Sequence, residues 1–204
     1  PTTTVASLSY LKRCIELAET YQFLLCSDEC YNDLYDGDIV PASVLDIDSE
    51  HWICFRSLSK RSHMTGYRSG AVISKNIAVM EQLKKLRSPM GVGTPTCIQE
   101  AATAAWNDDS HVNQHHDLYN QKRQRCIAAC KRAGLEVFGG TAGFYLWVSH
   151  KDFSQSEDLA SWFLDRDILV TPGTVFGDDG NPYCRLVFCL NDEDIDKLCT
   201  RVLN

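Results

Sequence analysis

Trp52-Ile53-Cys54-Phe55-Arg56 runs straight into Ser57-Leu58-Ser59-Lys60-Arg61, and Gly66-Tyr67-Arg68-Ser69-Gly70 follows five residues later. The first five residues are apolar, β-branched or aromatic apart from Arg56, the make-up of a strand. Lys60 then stands among small hydroxyl residues. A lysine in a partly desolvated site has a lowered pKa and becomes a usable nucleophile and base. Arg68 lies eight residues on, just before the next strand-like run at 69–73. Ser57, Ser59 and Arg68 could together grip a phosphate, the arginine offering its planar fork of donors. An ordinary loop with solvated Lys60, Arg61, His63 and Arg68 fits the same residues equally well.

Working outward, Leu8, Leu11, Ile15 and Ala18 recur at helical spacing, with Ser7 placed to cap a helix over 7–21. Residues 23–28 form a short apolar run ending in Asp28, the pattern of a buried parallel strand. A helix is expected over 77–86. The first 87 residues therefore alternate helix and strand, which implies an α/β layer fold with a largely parallel sheet. A turn-rich loop at 88–95 leads to a helix at 96–106, then a long polar helix from 108 to about 133, ended by Gly134. Beyond it the pattern predicts strands at 135–138, 144–148, 168–171 and 183–189, and helices at 158–166 and 192–203. Two domains are expected: 1–108, part of a larger sheet domain, and 109–204, the connecting helix with a smaller α/β domain.

The chain has 204 residues, a net charge of −7 and 44% hydrophobic residues. No basic patch suggests nucleic-acid binding, and no apolar run reaches the ~18 residues of a membrane span. The ten cysteines form no C-x-x-C pair, so they read as free thiols of a cytoplasmic protein, with metal binding as the lesser alternative. Pro1-Thr2-Thr3-Thr4 leads directly into a helix without an initiator methionine, and the chain is expected to be a piece of a longer protein.

Three further features have chemical potential. Asp28 ends a strand, where α/β sheets bind ligands, with Tyr31 three residues later; a turn or cap residue explains it as well. Arg185 interrupts the apolar run Tyr183-Cys184-Arg185-Leu186-Val187-Phe188. Its charge there needs a partner, a ligand carboxylate or an internal acid, or else an exposed sheet face. His111-x-x-x-His115-His116 has the spacing of a shared metal site, although no glutamate follows His111 and a solvated helix face is the plainer reading.

Taken together, these residues resemble the fold-type-I enzymes of pyridoxal phosphate (PLP), specifically the class I/II aminotransferases. The lysine motif with its eight-residue step to Arg68, Ser27-Asp28-Glu29-Cys30-Tyr31, and the strand around Arg185 occur in the family's order, and Pro1-Thr2 resembles the end of its Asn-Pro-x-Gly loop. The likeness runs from end to end. Ser59 to Arg68, Gly91-Val92-Gly93-Thr94-Pro95, Ala104-Ala105-Trp106-Asn107-Asp108 and Gly143-Phe144-Tyr145-Leu146-Trp147-Val148 are similar to the subgroup acting on succinyldiaminopimelate in lysine and diaminopimelate synthesis. The resemblance implies that Lys60 carries PLP as a Schiff base and shuttles protons. It assigns Asp28 to the pyridine nitrogen and Tyr31 to the ring oxygen. Ser57, Ser59 and Arg68 fall to the phosphate, and Arg185 to the substrate carboxylate. It further implies ping-pong transfer between an amino acid and a 2-oxo acid, and a homodimer. The family's glycine-containing phosphate turn and ring-stacking aromatic would precede residue 1, so the chain alone is expected to hold PLP weakly. A PLP-dependent β-elimination lyase, or a catalytically incomplete relic with a regulatory role, are the alternatives.

Overall fold

The computed structural model describes residues 1–37 and 40–204. They form two compact units: Val5–Asp33 with Ile39–Gln114, and Pro1–Thr4 with Leu34–Asp38 and His115–Asn204.

In the first unit, helix α1 (Leu8–Tyr21) begins where Ser7 accepts a hydrogen bond from the Tyr10 amide at 3.2 Å. Such a cap stabilises a helix by about 1 kcal/mol. α1 buries Leu11, Ile15 and Ala18. Strands β1 (Leu25–Asp28), β2 (Trp52–Ser57) and β3 (Gly70–Ile73) make a sheet in that order. Leu11 and Ile15 pack with Val44, Trp52 and Cys54 as its core. The single turn α2 (Leu58–Arg61) follows β2 without a break. Helices α3 (Ile77–Arg87) and α4 (Thr96–Trp106) complete the unit.

The expected largely parallel sheet is mixed: β1 and β2 are parallel, whereas β3 runs antiparallel to β2. The reason lies in the connection. The link from β2 to β3 is a tight twelve-residue loop carrying α2 and a 3-10 turn at Thr65–Tyr67, with no helix long enough to carry the chain back for a parallel strand. β1, expected to be buried, alternates half-buried and exposed positions, so Cys26 and Asp28 are exposed.

Helix α5 (Ser110–Arg132) contains the boundary between the units. In the second unit its later turns bury Tyr119, Cys126, Ala129 and Cys130. It ends at Gly134, whose φ of +82° is a left-handed conformation that favours glycine. Strands β4 (Leu135–Phe138), β5 (Tyr145–His150), β6 (Thr171–Pro172) and β7 (Cys184–Val187) form an antiparallel sheet in the order β4-β5-β7-β6. Helices α6 (Ser156–Leu164) and α7 (Asp192–Leu203) pack on it through Leu159, Phe163, Ile195, Leu198 and Val202. The strand expected at 168–171 shrinks to Thr171–Pro172. Ile168 and Val170 are buried, yet Leu169 is 84% exposed, and Pro172 has no N–H to extend an edge ladder.

All ten cysteines are free; Cys54, Cys126, Cys130 and Cys184 are buried, while Cys26, Cys97 and Cys189 are exposed. Among the described residues no helix is long and apolar enough to cross a membrane, and no group of three or more His, Cys, Asp or Glu side chains could hold a metal ion.

Candidate active site

The parallel pairing of β1 with β2 sets Asp28 opposite Phe55. The carboxyl ends of both strands therefore open on the same edge, and the chain beyond them carries Tyr31 on one side and Ser57 to Lys60 on the other. The Lys60 Nζ lies 5.6 Å from the centroid of the Tyr31 ring. The sequence motifs around Asp28 and Lys60, 32 residues apart in the chain, are thus brought together in one unit.

Asp28 is a turn residue and remains available for a second role. One carboxylate oxygen accepts from the Cys30 amide at 3.1 Å, which orients the other. Burial, and next the hydrogen bond to Asp28, push the neighbouring Cys30 thiol up to about 12, so Cys30 stays protonated and is a poor nucleophile.

Ser57 caps α2: its hydroxyl oxygen accepts from the Ser59 amide at 3.1 Å and keeps its own proton to donate. The turn is anchored by Leu58, which is fully buried and whose amide donates to the Ser69 carbonyl at 3.2 Å. Thr65 donates to the Ser59 carbonyl at 3.0 Å. Gly70 faces Ser57 in the ladder, and a Cβ there would stand 2.5 Å from the Arg56 carbonyl oxygen. Only glycine lets β3 approach the end of β2 this closely. Arg68 adopts a left-handed φ of 53° and is exposed; its Nη1 donates to the Thr65 carbonyl at 3.0 Å, which leaves further N–H donors of the fork for an anion.

Two findings bear on solvated readings that the sequence offered, one in this loop and one in α5. Arg61 is not solvated: it is 6% exposed, pairs with Asp109, and donates to the Ala105 carbonyl at 2.7 Å. The histidines of α5 are half-buried. His111 lies 2.8 Å from the Ser62 hydroxyl and 3.0 Å from Asp108, and in the other unit His116 lies 3.1 Å from the Gly37 carbonyl.

Sequence reasoning missed a buried ion pair behind the loop. Glu29 accepts from the Ser43 hydroxyl at 2.5 Å, the Val44 amide at 2.9 Å and the Ser27 hydroxyl at 3.1 Å, and pairs with Arg56 at 3.1 Å. It ties the segment after β1 to β2. The signal was present, since Arg56 is a charge in an apolar strand just as Arg185 is.

Arg185 belongs to the second unit. It is half-buried on β7 between the buried Cys184 and Leu186, with its guanidinium 4.4 Å from the Tyr145 ring centroid and 4.7 Å from that of Phe176. Among the described residues it forms no ion pair with a carboxylate. Two aromatic faces hold its plane while the edge of the fork stays available for a ligand carboxylate.

The residues fit pyridoxal phosphate. A lysine amine, an acid at the adjoining strand end, a phenol beside the amine, and hydroxyl and guanidinium donors match the aldehyde, ring nitrogen, ring oxygen and phosphate that such a group presents.

A mixed sheet bearing a lysine turn at the end of a central strand, joined through a long helix to an antiparallel sheet, is the architecture of the fold-type-I PLP-dependent transferases. Residues 1–202 match the model of aminotransferase class I and II, and the chain belongs to that family. It is similar to an LL-diaminopimelate aminotransferase from Dehalococcoides mccartyi, 33% identical over all of this chain and 53% of the relative. A 4-dedimethylamino-4-oxo-anhydrotetracycline transaminase from Streptomyces rimosus is also 33% identical, over 97% of this chain and 55% of that one. Among solved structures, an aminotransferase from Staphylococcus aureus superposes with a TM-score of 0.91 at 26% identity, covering all of this chain and 55% of that one. The chain spans about half the length of the curated relatives it matches.

Proposed function

We propose that the protein containing this chain is a PLP-dependent aminotransferase that moves an amino group between an amino acid and a 2-oxo acid by a ping-pong mechanism. The observation that carries this reading is the placement of Lys60 directly beyond β2, with its amine over Tyr31 and Asp28 at the end of the parallel neighbour. When bound, pyridoxal phosphate supplies an electron sink for the electrons released at the substrate Cα. The chain's own residues do the rest. Lys60 would hold the cofactor through its amine and would take up and return the proton at the substrate Cα. Asp28 keeps a proton on the pyridine nitrogen. Tyr31 donates to the ring oxygen. Ser57, Ser59 and Arg68 hold the phosphate dianion, and Arg185 clamps the substrate α-carboxylate with two parallel hydrogen bonds.

The substrate is a diaminopimelate-type amino acid, in a cytoplasmic homodimer that serves lysine synthesis. Similarity to an LL-diaminopimelate aminotransferase supports the compound class; the motifs shared with the succinyldiaminopimelate subgroup favour the N-succinyl form. The test uses the protein expressed from its complete reading frame. Added PLP is expected to give a visible absorption band that shifts with an amino donor and is absent in Lys60→Ala. Transfer of the amine to a 2-oxo acid, rather than release of ammonia and pyruvate, separates it from a lyase. A complete protein without a Lys60-dependent band refutes the reading.

A further inference from the structure

Lys60 lies in a helix of one turn, too short to be stable on its own hydrogen bonds. Its leading end is fixed by the Ser57 cap and by buried Leu58. Its trailing end is fixed by a different set of residues, none of which the proposed chemistry uses.

Arg61 directs one Nη to the Ala105 carbonyl at 2.7 Å, the other to the Asp109 carboxylate, and sets its guanidinium 5.2 Å from the Trp106 ring centroid. Ser62, the next residue, meets His111 Nε2 at 2.8 Å, and His111 Nδ1 meets Asp108 at 3.0 Å. These partners all sit at the junction where α4 ends and α5 begins. A buried guanidinium is costly unless fully paired, and Leu58 already supplies apolar anchorage. The additional charge therefore serves orientation rather than burial, because two directional hydrogen bonds from one planar guanidinium, to Ala105 and to Asp109, restrict angle where an apolar contact does not.

We infer that Arg61 held by Asp109, and Ser62 held by His111, are positioning residues for Lys60, fixing the turn that carries it on the α4–α5 junction. A lysine stem is long and flexible, so holding its Cα narrows the region its amine can reach. The inference rests on the reading of Lys60 as the cofactor lysine.

Asp109 is the residue to change, since its side chain is 81% exposed and its loss creates no cavity. In the complete protein without cofactor, Asp109→Ala is expected to raise amide exchange over residues 58–62 about tenfold, or ~1.4 kcal/mol of local opening, with exchange in β2 and α1 unchanged. The rate at which Lys60 captures added PLP, read from the absorption band, should fall about tenfold as well. Asp109→Glu should restore both. Ser62→Ala, which removes the His111 link and a longer 3.4 Å contact from Arg61 but leaves Arg61 on Ala105 and Asp109, should raise exchange about threefold; it serves as the second test should Asp109→Ala lower the stability of the whole protein. Unchanged exchange over 58–62 in both variants overturns the inference. So does a looser turn with normal capture, which would make the clamp structural only. A wild-type protein with no Lys60-dependent band fails at the earlier step, and the exchange arm tells the two failures apart.

Discussion

Replacing Gly70 by alanine probes how the sheet sets up the lysine turn. The new methyl would stand 2.5 Å from the Arg56 carbonyl oxygen and 3.4 Å from the Ser57 Cα. Both are backbone atoms that cannot rotate away. Ordinary contact begins at 3.4 Å, so the two strands must part by ~0.9 Å at this point. Overpacking of this kind costs about 1–3 kcal/mol. With a urea slope of ~2 kcal/mol per molar, the unfolding midpoint should fall by roughly 0.5–1.5 M. The displacement falls on Ser57, the cap of α2 and a phosphate donor in the proposed chemistry, so PLP affinity should weaken in parallel. Urea denaturation followed by circular dichroism, with a PLP titration, measures both. An unchanged midpoint with unchanged affinity would refute the claim that Gly70 is required for the approach of β3 to the end of β2.

Other substitutions and conditions test separate parts of the structure. Glu29→Ala removes the nearer carboxylate of Arg56, leaving Asp33 at 3.7 Å, together with three hydrogen bonds, and should destabilise the protein by about 3 kcal/mol, visible as a lower thermal midpoint. Burial pushes the Cys130 and Cys184 thiols up to about 12, so their thiolate fraction at about pH 8 is near 10⁻⁴. Iodoacetamide followed by mass spectrometry should label exposed Cys189 well before either. Hydrogen bonds from Ser110, and next from His111, hold the Asp108 carboxyl below the usual carboxylate range. A carboxyl with a lowered folded-state pKa stabilises the protein above its ordinary pKa and loses that contribution as pH falls through and below it. Asp108→Asn should therefore flatten the drop in urea midpoint between about pH 6 and about pH 3.

Periodicity and caps made most of the elements legible. Ser7 caps α1 as its spacing predicts, Gly134 ends α5, and Cys126 and Cys130 share the buried face that a separation of four residues implies. What stayed hidden was set by tertiary pairing. Nothing local in Gly70–Ile73 tells whether the strand pairs parallel or antiparallel, and Ile168–Val170 has strand composition but lies outside the ladder, which starts at Thr171. In the site, the resemblance to the aminotransferases linked Asp28, Tyr31 and Lys60, while strand ends alone left Asp28 open to a turn role; the structure places Lys60 near Tyr31 and Asp28 at the end of the neighbouring strand. The burial of Arg61 could not be read locally, and solvation stood as an open alternative, because its partners, Ala105 and Asp109, lie more than forty residues away. The Glu29–Arg56 pair was overlooked although Arg56 interrupts an apolar strand.

The role of Lys60 is tested most directly by covalent trapping. The complete protein is incubated with PLP, reduced with borohydride, digested, and its peptides mapped by mass spectrometry. The expected result is a reduced cofactor attached to Lys60, in the peptide that begins after Arg56. A label on a different lysine such as Lys75, Lys84 or Lys85, or no specific label, would contradict it.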